Sequence, residues 1–368
     1  MSVPGPLHGV RIIELDAIGP VPVCGMILSG LGAEVIRIAR PGGHAAFDDL
    51  GEGVLLRGRS TVELNLKDAG DRESLLELVG RADVLIEGMR PGVMERLGIG
   101  PDACLARNPR LVYGRCTGWG QQGPRALQAG HDITYIATTG ALHAIGEEGR
   151  EPAVPLNLLG DYAGGTMFLA LGVVSALHWA RSTGEGQVVD AAITDGVVNL
   201  MGLFHAYLHT GTWTDRPASN LLDGAAPFYR CYRCRDNGFV AVGALEPQFF
   251  RQLLQGLEIA PDSFDQNDRS CWAEMRSVFA ERFASAPRSH WEEVFAGSDA
   301  CVAPVLSMTE AMRHPDNVAR SMFSEHRGVM QPAPAPRFSR TAGSIQRDTA
   351  VTAADLLAEW SDDGAARR

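Results

Sequence analysis

The 368-residue sequence predicts an α/β protein, a large Rossmann-like unit built on a parallel sheet and followed by a smaller α+β unit. Three observations carry that expectation. Short apolar strand signals alternate with helix signals over the first half of the chain, the pattern of parallel strands covered by helices. Past residue 185 the rhythm changes to a hairpin and a run of helices. A chain of this length also exceeds what one ordinary core serves, which favours two domains.

Taken in order, "VRIIEL" (10–15) is a short apolar strand. "PVPVCGMILSGLG" (20–32) is a helix with prolines at its start and Gly32 at its end. "AEVIRI", "STVELNL" and "ADVLIEG" read as further strands, with "DAGDRESLLELVGR" as a helix between the last two. "PGVMERLG" is a short helix with Pro91 near its first position, and "RLVYGRC" is another strand. "ITYIATTGALHAIG" and "AGGTMFLALGVVSALHWA" (163–180) are helical, "GQVVDAAI" is a strand, and "TDGVVNLMGLFHAYLHTG" a helix. A polar connector follows, then the hairpin "PFYRCYRCRD"/"FVAVGAL" through Asn237-Gly238. Helices "PQFFRQLLQGL", "WAEMRSVFAERFAS" and "HWEEVFA" complete the smaller unit. "GVMQPAPAPRFSRTAG" (328–343) is proline-rich extended chain, and "TAADLLAEWSDD" a short amphipathic helix.

Composition narrows the function classes. The first strand-to-helix turn, "ELDAIGPVPVCG", lacks GxGxxG, and no Walker GxxxxGK[ST] follows any strand, so a nicotinamide enzyme is disfavoured. A formal net charge of 33 − 44 = −11 argues against nucleic acid as the main partner. Seven scattered cysteines suit a reducing, cytoplasmic setting rather than a disulfide framework. Cys231 and Cys234 form a single CxxC with no second ligand pair, so no metal site is expected. The N-terminus has no signal-peptide pattern, and the apolar run 163–180 carries three glycines and His178. We read that run as a buried helix and expect no membrane span.

Ionisable residues stand at three loop ends that lead into helices. His131 and Asp132 open a helix after Gly130; Asp132 is expected to cap it, and the free amides there offer partial positive charge to an oxyanion. A base beside an anion site is what proton removal next to a carbonyl requires. Asp161 sits where "LNLLGD" meets a glycine-rich helix start, and Glu246 precedes Pro247 after a strand. By residue type alone each is equally an ordinary helix-start residue. Arg37, Arg40, Arg57, Arg59, Lys67, Arg90 and Arg96 fall near the ends of the first strands, which suits a phosphate-bearing ligand or plain surface charge.

Several blocks are more specific: "LHGVRIIELDAIGPVPVCGMILSGLGAEVIRIARPG", "ADVLIEGMRPGVMERLG", "YGRCTGWGQQGP", "AGHDITYIATTGALHAIG", "PLNLLGDYAGG", "LDGAAPFY", "VAVGALEPQFF" and "DACVAPVLS". From about residue 6 to about 340 the chain resembles the alpha-methylacyl-CoA racemases of the family III CoA-transferase superfamily. The resemblance implies catalytic roles for His131, Asp161 and Glu246, with the Asp132 amide as an oxyanion donor. It implies coenzyme A contacts at Arg40, at Leu64, Asn65, Leu66 and Lys67, at Gly88, Met89 and Arg90, at Arg96, and around the thioester at Gly130, Tyr135 and Gly160. Asn65 stands where the family pattern has aspartate.

It further implies an interlocked homodimer, with Glu246 facing His131 across subunits. The expected division is a large domain over 1–191, helix and linker over 192–228, a small domain over 229–315, a return linker over 316–343 and a C-terminal segment over 344–368 that rejoins the large domain. The implied reaction is inversion at the 2-methyl carbon of an acyl-CoA thioester, in lipid or fatty acid metabolism, through an enolate and with no separate cofactor. The rival is CoA transfer between carboxylic acids with Asp161 as the acyl-carrying nucleophile. Transferases of the superfamily generally lack the histidine of "AGHDI" and the glutamate of "LEPQF", and both are present here. A third reading, a non-catalytic acyl-CoA-binding protein, leaves the three ionisable residues without a use.

Overall fold

Six parallel strands lie in the order β3-β2-β1-β4-β5-β6, where β1 is Arg11–Leu15, β2 Glu34–Ala39, β3 Ser60–Glu63, β4 Val84–Glu87, β5 Val112–Thr117 and β6 Gln187–Ala192. The computed structural model describes residues 5–42, 52–346 and 349–363. The inner strands β1 and β4 are buried along their whole length, as strands covered on both faces must be. Strand order reverses between β1 and β4, so a crevice is expected just beyond Leu15 and Glu87. Every strand of this sheet falls where the apolar runs predict it.

Helices cover the sheet. Pro20–Gly30 follows β1, and Ala69–Val79 follows β3 with Asp68 as its cap, its carboxylate accepting the Gly70 and Asp71 amides. The helix expected at "PGVMERLG" is Val93–Arg96, and Gly92, in the left-handed region at φ 80°, rather than Pro91, sets its start. Pro101–Arg107 is a helix the pattern did not reveal, because seven residues give too little periodicity. Leu158–Thr166 is π-helical and runs into the α-helix Met167–Thr183. By length and composition Leu158–Thr183 matches a membrane span, yet half of its most apolar 18 residues are buried in the protein. Leu169 and Val173 sit over Gly114 of β5, where an added Cβ would lie 3.0 and 3.3 Å from them. The single helix expected after β6 is two, Ile193–Leu200 and Gly202–Thr210.

The chain divides into two compact units. One takes in the described residues of Met1–Thr139, Pro155–Met201 and Arg320–Arg368; the other is Gly140–Val154 with Gly202–Ala319. The C-terminal helix Ala353–Asp363 belongs to the first, where Leu356 and Trp360 join the core beside Ile36 and Leu75. Trp360 Nε1 donates to Glu34 Oε1 at 2.9 Å, and the Arg11 guanidinium lies over its ring at 4.9 Å.

The second unit holds an antiparallel sheet of β7 (Tyr229–Arg233), β8 (Phe239–Gly243) and β9 (Val302–Val305), with the hairpin turning at Asn237, φ 62°. β9 was not apparent in the sequence because Pro304 interrupts it, which an edge strand tolerates. Its core is aromatic, with Phe228, Phe250, Trp272, Phe279 and Phe283 packed at ring-centroid distances of 5.1–6.4 Å among themselves and Tyr232. Part of the proline-rich stretch is a strand: β10 (Phe323–His326) pairs antiparallel with β11 (Val329–Pro332).

Candidate active site

Beyond the C-terminal end of β5, "TGWG" brings the chain back towards "AGHDITY". The Tyr135 ring occupies the space that side chains at Gly118 and Gly130 would need, since their Cβ atoms would fall 2.0 and 2.4 Å from it. Those two glycines therefore let the ring lie flat against the loop, stacked edge-on to Trp119 at 5.0 Å. The Tyr135 hydroxyl donates to the Gly130 carbonyl. This seating fixes the entry to the helix Asp132–Ala137.

His131, with extended backbone (φ −135°, ψ 170°), is the residue that caps that helix. The expectation that Asp132 caps it is corrected. Thr134 does the local work, its hydroxyl accepting the His131 amide at 2.9 Å and donating to the His131 carbonyl at 2.8 Å. Asp132 is the first helical residue, only 5% exposed, and its carboxylate accepts the Asp161 amide at 2.6 Å and the Gly160 amide as well. One aspartate thereby joins two segments that lie far apart in sequence. Among the described residues the Asp132 amide has no hydrogen-bond partner, which leaves it available as a donor.

Asp161 lies in the π-helical segment, a geometry often found at functional sites. Glycines permit it. A Cβ at Gly160 would meet Asp132 Oδ2 at 2.4 Å, and one at Gly164 would meet Val197 Cγ2 at 2.6 Å. The Asp161 carboxyl is half-buried; Asn157 Nδ2 approaches its Oδ2 at 3.4 Å, and Gly19, in the loop after β1, leaves a gap that a Cβ would narrow to 3.3 Å. Burial first, then the neighbouring Asp132 charge, push the Asp161 carboxyl above the usual aspartate range, while the Asn157 bond and the His131 charge oppose. His131 itself is exposed. His131, Asp132 and Asp161 are thus brought together, and Glu246 lies in the second unit as the exposed cap of the helix Pro247–Gly256.

The residues expected to hold coenzyme A line the same end of the sheet. Gly88, Met89 and Arg90 follow β4 at the strand-order reversal, and a Cβ at Gly88 would press on Val21 and Ala17 at 3.0 and 3.3 Å. Arg90 is exposed and close enough to Tyr135 for its charge to oppose the upward push that burial and Asp161 give that phenol. Asn65 and Lys67 are exposed after β3, with the Asn65 side-chain oxygen accepting the Lys67 amide at 3.2 Å; the Leu64 side chain is core and leaves only its backbone to a ligand. Arg96 is exposed on its short helix. Arg37, Arg40, Arg57, Arg59 and Arg327 line a cavity of about 560 Å³.

Part of that basic cluster is structural. Arg37 pairs with Asp16 at 2.6 Å, Arg59 donates to both oxygens of buried Glu14 at 2.5 and 2.6 Å, and Arg57 donates to Gln331 at 2.6 Å. Sequence reasoning also missed a buried scaffold under the Gly88–Arg90 loop. Glu87 accepts the Met89 amide at 2.6 Å and Arg115 Nε at 2.8 Å, and Arg115 reaches Glu95 at 2.7 Å. No local motif announces the Arg115 pairings, which join β5 to Glu87 of β4 and to Glu95 of the helix Val93–Arg96.

With a six-stranded Rossmann order but no dinucleotide loop, and His131, Asp132 and Asp161 brought together in the chain beyond β5, the architecture is that of the CoA-transferase family III, whose family model matches residues 7–350. The chain belongs to that family. Among curated relatives, the alpha-methylacyl-CoA racemase of Mus musculus is 42% identical over 349 residues, covering 94% of this chain and 90% of the relative. That of Homo sapiens is 41% identical over 347 residues, covering 93% and 89%. In fold the chain is similar to a CAIB/BAIF family protein from Brucella suis, with a TM-score of 0.82 at 24% identity over 97% of this chain and all of that one.

Proposed function

We propose that the chain is an alpha-methylacyl-CoA racemase, an isomerase that inverts the 2-methyl centre of an acyl-CoA thioester by moving one proton. The observation that carries the reading is the 2.6 Å bond from the Asp161 amide to Asp132, which puts two acid–base residues, His131 and Asp161, at one site. Removal of the α-proton by one of them leaves an enolate, and the other returns a proton to the opposite face. The electron pair of the C–H bond moves into the enolate and back, so oxidation state is unchanged and the steps ask for no redox group. An amide such as that of Asp132, aimed at the developing enolate oxygen, is worth about 3–4 kcal/mol in comparable sites.

Coenzyme A is the handle for this chemistry. Its phosphates suit the arginine-lined cavity and the exposed Arg90 and Arg96, and binding there supplies energy far from the reacting carbon. A second copy of the chain suits the apolar side chains left uncovered: Leu171 is 64% and Trp179 51% exposed, and the helix Gly202–Thr210 buries no residue. The homodimer, with Glu246 of a second copy beside His131, and the cytoplasmic setting complete the proposal.

Replacement of His131 by alanine tests it. Exchange of the α-proton should fall by at least about 10²-fold for one enantiomer; unchanged exchange on both enantiomers removes His131 from the mechanism. Replacement of Arg40 should raise the KM for CoA thioesters, and an unaltered KM moves the phosphates elsewhere.

A further inference from the structure

The backbone amide of Asp132 enters the reaction above, but its side chain has no part in it. That side chain is the more unusual group. It is 5% exposed, and its Oδ2 accepts two backbone N–H groups, from Gly160 and, at 2.6 Å, from Asp161. Its Oδ1 is buried with no hydrogen-bond partner among the described residues. A Cβ at Gly160 would lie 2.4 Å from Oδ2, so a larger residue there would press on the carboxylate and displace it. A buried carboxylate has to be stabilised by something, and here that is the turn bearing Asp161.

Asp132 and Asp161 are two carboxyl groups in one desolvated pocket, and both ionise less readily than usual because of burial. Such a pair tends to hold one charge rather than two, and hydrogen bonds decide which member carries it. Asp132 accepts two backbone amides, whereas Asp161 accepts one long side-chain contact, from Asn157 at 3.4 Å. The other groups facing Asp161 are His131 at the helix start, Tyr135 one turn on and Cys116 of β5, and none of these replaces the amides that Asp132 receives.

Resting on the racemase reading, we infer that the Asp132 side chain is a positioning residue for the reaction: it anchors the turn that carries Asp161 and takes the negative charge of the pair, so that Asp161 keeps its proton. The resting site is then asymmetric, with an acid on the Asp161 side and a base on the His131 side. The enantiomer deprotonated by His131 meets a site already charged with the returning proton. The other enantiomer requires Asp161 to ionise first.

The test uses Asp132→Asn and Asp132→Ala. Asparagine retains an oxygen for the two amides but carries no charge; alanine removes both. In Asp132→Asn the acidic limb of α-proton exchange, followed with the enantiomer that Asp161 deprotonates, moves to lower pH while KM is held. Asp132→Ala lowers kcat/KM by about 10–100-fold, as expected when a charged buried hydrogen bond is lost. A ¹³C-carboxyl titration of aspartate-labelled protein, with Asp161→Asn assigning the signal, reads the Asp161 midpoint without turnover. A midpoint that drops in Asp132→Asn supports the inference; a midpoint and limb that both stay in place overturn it and leave Asp132 a structural tie. If the wild-type protein exchanged no α-proton, the racemase reading would fail, and the titration would still decide the relation between the two aspartates.

Discussion

Replacing Gly196 by alanine should damage stability and catalysis together, through backbone rather than through any catalytic group. Gly196 lies in the helix Ile193–Leu200, and a Cβ there would stand 2.0 Å from the carbonyl oxygen of Gly164 and 2.7 Å from its carbon. Both atoms belong to the backbone of the π-helical segment that carries Asp161, so no side chain can swing aside. Ordinary carbon–oxygen contact is near 3.3 Å, so the segments must part by roughly 1 Å, at an overpacking cost of about 1–3 kcal/mol. A catalytic group displaced by about 1 Å loses on the order of 10²-fold in rate. The loss should appear in kcat, since the contact displaces the segment that carries Asp161 and touches none of the arginines proposed to hold coenzyme A. Urea unfolding measures the stability change, and α-proton exchange of a 2-methylacyl-CoA measures the rate. A variant as stable as wild type, with kcat within two-fold, would refute the claim that this glycine contact sets the position of Asp161.

Three further outcomes are expected. Arg59→Met leaves Glu14 buried without its partner and should cost about 3–5 kcal/mol by chemical denaturation, with Glu14→Gln/Arg59→Met recovering much of it; a loss under about 1 kcal/mol contradicts the reading. Asp161→Asn should unfold at a higher temperature than wild type at neutral to alkaline pH, with the gap narrowing as pH falls towards the ordinary aspartate range. The sign follows from the raised carboxyl: its folded form prefers the proton, so its stabilising contribution is present at low pH and is lost as pH rises through the folded value. A gap independent of pH contradicts it. Co-expression of His131→Ala with Glu246→Ala should yield mixed dimers with about half the wild-type activity, because one of their two sites is then intact. Inactive mixed dimers would mean that each site is built from one chain.

Much of this was legible in the sequence because it is local. The parallel strands announce themselves as short apolar runs, and the helix Ala69–Val79 reads as helical in "DAGDRESLLELVGR" between two of them. The hairpin β7–β8 is readable from Asn237-Gly238. Where burial is made by partners distant in sequence, the signal fails. Asp132 looks like a helix cap because nothing in "GHDITY" shows that its carboxylate is claimed by Asp161 and Gly160, while Thr134 serves the helix start instead. Arg37 and Arg59 look like free surface cations until Asp16 and Glu14 are found against them. The π-helical turn is invisible for the same reason: Gly164 and Gly196 are ordinary glycines in sequence, and only their contact explains them.

The most direct measurement takes one enantiomer of a 2-methylacyl-CoA in D₂O with the unaltered protein and no acceptor acid, and follows deuterium at C2 together with optical purity. Deuterium entering C2 as optical purity falls is the result expected of proton transfer between His131 and Asp161. A C2 position that stays protonated, with the acyl group changing partners only once a second carboxylic acid is added, would contradict racemisation and make Asp161 an acyl-carrying nucleophile.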